Sequence, residues 1–191
     1  MKNNKKIPLL AISASLMLII GYIFEVLLQW PFLGTYIKPS PAEGLLIFLV
    51  MLLGIKNAFV TLIIYCLMLF TFKGFSPTLV DEFALIASAT LTISIFNFTY
   101  NKKKLGFLKA SISTIFLNTI IMTLLNAYFI SPTFVKNVWA TYKTAFPSMS
   151  FAQVLKWVII PPAGILHGNL IKYILCFVLA ALANKTFKTT E

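Results

Sequence analysis

Lys172 lies about ten residues into an apolar run over residues 162–184. That depth is too great for a helix-end anchor. A charge near the centre of a bilayer-spanning helix costs about 2.5–3.5 kcal/mol, so such a residue is a functional candidate by default. Asn169 stands three residues earlier and shares its helical face. The amide offers donors and an acceptor, and the ammonium adds three donors. The Asn-x-x-Lys pair therefore suits a ligand bearing carbonyls, ring nitrogens or hydroxyls. Alternatively, Lys172 pairs with Glu25 or snorkels, for structural reasons alone.

A second polar stripe, Thr119, Thr123 and Asn126, marks the apolar run at residues 107–130. It can line a pocket or join helices through interhelical hydrogen bonds. Glu25, in the first apolar run, could touch a ligand, carry a proton or neutralise Lys172; structural pairing is slightly favoured. Ala11, Ala14 and Ser15 form a small-residue patch that lets another helix approach closely, either within the bundle or from a partner. Nothing points to catalysis or a metal. His167 is a lone histidine, and Cys66 and Cys176 read as free thiols inside apolar runs.

The elements that must position these groups are membrane helices. The chain has 191 residues, 59% hydrophobic and 11% charged, with a mean hydropathy of +0.90. A soluble domain carries about 25% charged residues. The net charge of +11 does not signal nucleic acid, because the sixteen basic residues, all lysine, sit in short clusters between apolar runs. Apolar patterning predicts an all-α integral membrane protein, a single transmembrane domain over 1–191 with six helices at about 7–30, 42–54, 56–72, 81–100, 107–130 and 162–184. The first run is too long for a signal-peptide core and no small-residue cleavage site follows it, so it reads as a retained helix. The stretch at 42–72 exceeds one crossing of a core of roughly 30 Å and breaks at Gly54-Ile55-Lys56-Asn57.

With the N-terminus inside and six crossings, ten lysines fall inside and five outside. This supports both termini in the cytoplasm. The outer segments, 33–41 and 131–156, hold or adjoin Trp30, Phe32, Tyr36, Trp139, Tyr142 and Phe146. These aromatics suit interface anchoring, and one or two could stack on a flat ring. No GxxxxGK[ST] motif occurs, so the chain does not itself hydrolyse ATP by that device.

Together these features resemble the S components of energy-coupling-factor (ECF) vitamin transporters, most closely the riboflavin-binding members, over most of the chain. Ala11-Ile12-Ser13-Ala14-Ser15 is similar to the family's Ala-x-x-x-Ala docking patch. Leu125-Asn126-Ala127-Tyr128-Phe129, followed by Pro132, resembles the helix 5 stretch whose asparagine binds flavin. Asn169-Leu170-Ile171-Lys172 resembles the helix 6 core whose asparagine and lysine reach the ligand. Departures stand beside these matches. The acidic stretch opening helix 2 is replaced by Lys38-Pro39-Ser40-Pro41-Ala42-Glu43, with Glu43 the acidic counterpart. The Gly-Pro-x-x-Gly turn reads Gly54-Ile55-Lys56-Asn57, and Pro161-Pro162 stand several residues ahead of Asn169.

The resemblance implies a binding subunit, not an enzyme, with riboflavin as the transported ligand and no cofactor. Asn126, Thr123, Asn169, Lys172 and Glu43 would hold the ligand. The pocket would lie between the outer halves of helices 4, 5 and 6. Ala11, Ala14 and Ser15 would dock on a transmembrane coupling protein that works with two ATPase subunits. The alternatives are an S component for pantothenate, folate or a cobalamin precursor, a membrane-embedded enzyme, or an assembly protein. The enzyme would need companions that Glu25 and His167 lack. The assembly protein would show stability changes alone on substitution of Asn169 or Lys172.

Overall fold

The computed structural model describes residues 3–24, 40–74, 79–130 and 165–189, with isolated positions between 131 and 164. Helices make up these segments, and no strand occurs among the described residues. They are α1 (Asn3–Tyr22), α2 (Gly44–Leu53), α3 (Ile55–Lys73), α4 (Val80–Asn97), α5 (Phe107–Leu125) and α6 (Ile165–Thr189). A 3-10 turn, Pro41–Glu43, leads into α2. π-helical turns, Phe98–Lys102 and Asn126–Ile130, extend α4 and α5. Four helical segments are long and apolar enough to cross a membrane: Ile55–Lys73, Glu82–Lys102, Phe107–Ile130 and Leu166–Thr186. Lys6–Tyr22 and Pro41–Leu53 are shorter apolar helices. The expected extensions at 25–30 and 162–164 lie outside the described residues, as do Glu25, most of the two outer segments and their six aromatics.

The architecture is organised around α2. Its ten residues span only about 15 Å at 1.5 Å per residue, half the thickness of a bilayer core. Residues 41–50 are all buried, and Leu46, Ile47 and Leu49 are completely enclosed. A helix that is apolar all round must be covered on every side, and α2 is covered by α3, α4 and α6. α1 packs on α3 and on the 3-10 turn, while α5 packs on α4 and α6. The outward faces of the long helices carry exposed Ile63 and Leu67, Phe116 and Leu124, and Ile174 and Val178. Such a surface is at home among lipid tails rather than in water.

Two glycines shape the centre. Gly54 takes φ 83°, a left-handed region that costs glycine little, and it separates α2 from α3. The Asn57 amide donates to the Leu53 carbonyl at 2.6 Å and so satisfies one of the free carbonyls at the end of α2. Gly44 brings α2 against the backbone of α6. A Cβ there would run into the Cys176 carbonyl oxygen and would stand 3.1 Å from Leu179 Cβ. Backbone atoms on a packed helix have no rotamer with which to yield. We therefore expect Gly44→Ala to lower stability by about 1–3 kcal/mol, read as a lower melting temperature in detergent. Gly106→Ala is the control, because nothing lies within 4 Å of a Cβ at that position.

Candidate functional site

Most hydroxyls in the bundle are satisfied by their own helix. Thr61, Ser111 and Thr114 each donate to the carbonyl four residues earlier, at 3.1, 2.7 and 2.7 Å. This back-bonding lets a small polar side chain sit in an apolar medium and needs no functional account. The polar groups around the start of α2 behave differently, because their bonds run between helices.

Ser40 accepts from the Ala42 amide at 3.3 Å and Pro41 follows it, so the chain turns sharply into α2. Glu43 thereby sits just ahead of α2, at the positive end of the helix dipole, although its side chain makes no capping hydrogen bond there. The carboxylate is buried with its side chain 3% exposed, yet Lys172 Nζ from α6 stands 2.5 Å from its Oε1. Lys172 also donates to Ser88 Oγ of α4 at 2.8 Å. Ser88 Oγ lies 3.1 Å and 3.3 Å from the two Glu43 oxygens and 3.1 Å from the Tyr173 hydroxyl.

Proton bookkeeping fixes the directions. A carboxylate only accepts and an ammonium only donates. Ser88 therefore gives its single proton to Glu43, and Tyr173 donates to Ser88. The result is a net-neutral cluster tying α2, α4 and α6 together. Among the described residues, Lys172 has two acceptors for its three protons, and its side chain keeps 16% exposure.

A second group extends the polar region along α4 and α5. Thr92 donates to the Ser88 carbonyl at 2.8 Å and accepts from Asn118 Nδ2 at 2.8 Å. Asn118 is fully enclosed, and its Oδ1, like the Thr119 hydroxyl, has no partner among the described residues. Between α5 and α6, Asn169 Nδ2 donates to Thr123 Oγ1 at 3.3 Å.

The structure thus brings Glu43 to Lys172 and Thr123 to Asn169. Asn126 stands apart from both contacts, since its Nδ2 donates 2.7 Å to the Met122 carbonyl of its own helix. The carboxylate at Lys172 is Glu43, and Glu25 lies outside the described residues. Ser88, Tyr173, Thr92 and Asn118 were not foreseen. Asn118 had the signal that singled out Asn126, an amide inside an apolar run. Tyr173 and Ser88 gave none beyond type, because their importance comes from the residues they meet.

The expected docking patch divides. Ala11 is exposed and Ser15 half-buried, whereas Ala14 is completely enclosed and joins the bundle core. Ala14 thus packs within the bundle, the internal-packing alternative for this patch. His167 is exposed, and Cys66 and Cys176 are free and buried. Among the described residues no three His, Cys, Asp or Glu side chains are grouped to hold a metal.

No family model, curated protein or solved structure matches this chain.

Removing one member of a buried ion pair strands the other charge and costs about 3–5 kcal/mol, while removing both costs far less. Lys172→Met and Glu43→Gln should therefore each destabilise the protein strongly. The double variant should recover much of that loss, with a coupling above about 1 kcal/mol in a double-mutant cycle by thermal unfolding in detergent. Additive effects would show that the contact does not carry the burial of Glu43.

Proposed function

We propose that this chain is the solute-binding membrane subunit of an ECF-type importer, an S component taking up riboflavin or a related flavin. The observation that carries the reading is the placement of Asn169 and Lys172. Both are on the side of α6 that meets α5, α2 and α4, within bonding distance of Thr123, Glu43 and Ser88. Lys172 also keeps exposure and donor capacity. In this reading the chain is one six-segment transmembrane domain of a bacterial cytoplasmic membrane, with both termini cytoplasmic. The solute lies against α4, α5 and α6, with Asn126, Thr123, Asn169, Lys172 and Glu43 supplying polar contacts and the apolar helix faces taking the ring. No bond is broken and no cofactor takes part. Energy comes from a transmembrane coupling protein and two ATPases, with Ala11 and Ser15 on the exposed face of α1 as the docking contacts. Pantothenate, folate or a cobalamin precursor in place of flavin is the variant of the same reading.

One observation favours a second reading, that the cluster is purely a lock for assembly. The Glu43, Ser88, Lys172 and Tyr173 contacts close on themselves with their protons largely assigned. A lock predicts that substitutions alter stability and leave no solute binding to lose.

Absorption and fluorescence separate the two. The detergent-purified protein should carry flavin bands or quench riboflavin fluorescence saturably. Asn169→Ala should weaken binding about tenfold, the equivalent of one good hydrogen bond, with the melting temperature of the empty protein little changed. A folded, colourless protein with no quenching would remove riboflavin and send the search to other vitamins.

A further inference from the structure

The Glu43–Lys172 pair imposes a charge rule on any solute that uses Lys172. Glu43 is the only buried acidic side chain among the described residues. Lys56, Lys73, Lys102, Lys103, Lys104, Lys109 and Lys185 are exposed near helix ends, and among the described residues Lys172 is the lysine that reaches this interior. The cluster is therefore balanced at zero by one carboxylate and one ammonium 2.5 Å apart. A neutral solute with acceptor groups leaves that balance intact, taking the remaining ammonium proton and bonding to Asn169. An anionic solute competes with Glu43 for the same ammonium and adds a like charge beside a carboxylate with almost no access to water. The ammonium's attraction and the carboxylate's repulsion largely offset each other at such an anion, so it gives up its hydration with little net electrostatic return, which disfavours it by more than about tenfold.

We infer that Glu43 is a specificity-determining residue that restricts this site to uncharged polar solutes and rejects their carboxylated or phosphorylated counterparts. The inference rests on the solute-binding reading above and narrows it: within the vitamin class, neutral molecules fit and anions do not. Glu43 acts through Lys172, holding the ammonium's charge already spent while leaving its hydrogen-bonding capacity in part available.

Matched pairs test it on the full-length protein in detergent near neutral pH. Riboflavin is compared with riboflavin 5′-phosphate, and the neutral alcohol of pantothenate with pantothenate itself, by equilibrium dialysis. The native chain should favour the neutral member of whichever pair binds by at least about tenfold. Glu43→Gln, which leaves the cluster one positive charge in excess, should shrink or reverse that ratio by at least about tenfold, whereas Glu43→Asp should preserve it. Equal or tighter binding of the anionic member by the native chain, or a ratio unmoved in Glu43→Gln although both ligands weaken, overturns the inference and leaves solute binding standing. Failure of all four molecules to bind overturns both. If Glu43→Gln does not fold, the native ratio within each pair decides alone.

Discussion

Glu43 must hold a negative charge where almost no water reaches it, and the arrangement around it follows from that need. A carboxylate in a low-dielectric interior requires a cation and donors at close range. Lys172 supplies the cation and Ser88 the neutral donor. These groups come from α6 and α4, so satisfying one carboxylate sets the rotation and height of two helices about the start of a third. The apolar contacts could not do this alone. Inside a lipid-facing bundle, leucine against leucine and leucine against lipid tail are nearly equivalent, so directional bonds and close backbone approach carry the specificity.

The short length of α2 is part of the same solution. A helix of ten residues that starts at Pro41 and ends at Gly54 begins well inside the apolar slab if its far end reaches one face. Its start, the positive end of its dipole, is then at interior depth, where a negative group is favoured, while the Gly44 amide is taken by the carbonyls of the 3-10 turn. Glu43 stands there. Gly44 lets the same turn press against the Cys176 backbone, which brings Glu43 within reach of Lys172 one helical turn earlier on α6. Charge, helix end and glycine are thus one device.

What could be read from the sequence depended on whether a residue's cost was local. Lys172 and Asn169 were visible because a charge or amide deep in an apolar run is expensive wherever the chain goes. Gly54 was visible because a stretch too long for one crossing has to bend. The partner of Lys172 was not visible: the sequence reading offered Glu25, whereas the contact found is with Glu43, 129 residues away in sequence. The central place of α2 was hidden for a different reason. Periodicity shows a buried face only when the other face is polar, and here both protein and lipid call for apolar residues. That equivalence also hid the inward turn of Ala14, since a small residue marks a close approach without saying which neighbour approaches.

The hydroxyls and amides that do not bond within their own helix separate scaffold from site. A threonine that returns its proton to the carbonyl four residues back is chemically silent, and Thr61, Thr99 and Thr114 are of that kind. Asn118 is not silent: it gives Nδ2 to Thr92 while its enclosed Oδ1 lacks a partner among the described residues. A buried acceptor left unmade costs about 1–3 kcal/mol, comparable to a large share of what any single contact in the bundle contributes. Asn118 joins the cluster through Thr92 and the Ser88 carbonyl, so a shift of α4 against α5 that gave its oxygen a donor would also move Ser88, the hub between Glu43 and Lys172. The unsatisfied amide and the charge cluster are therefore coupled through one turn of α4, and the geometry around Lys172 is tied to the helix that meets α5.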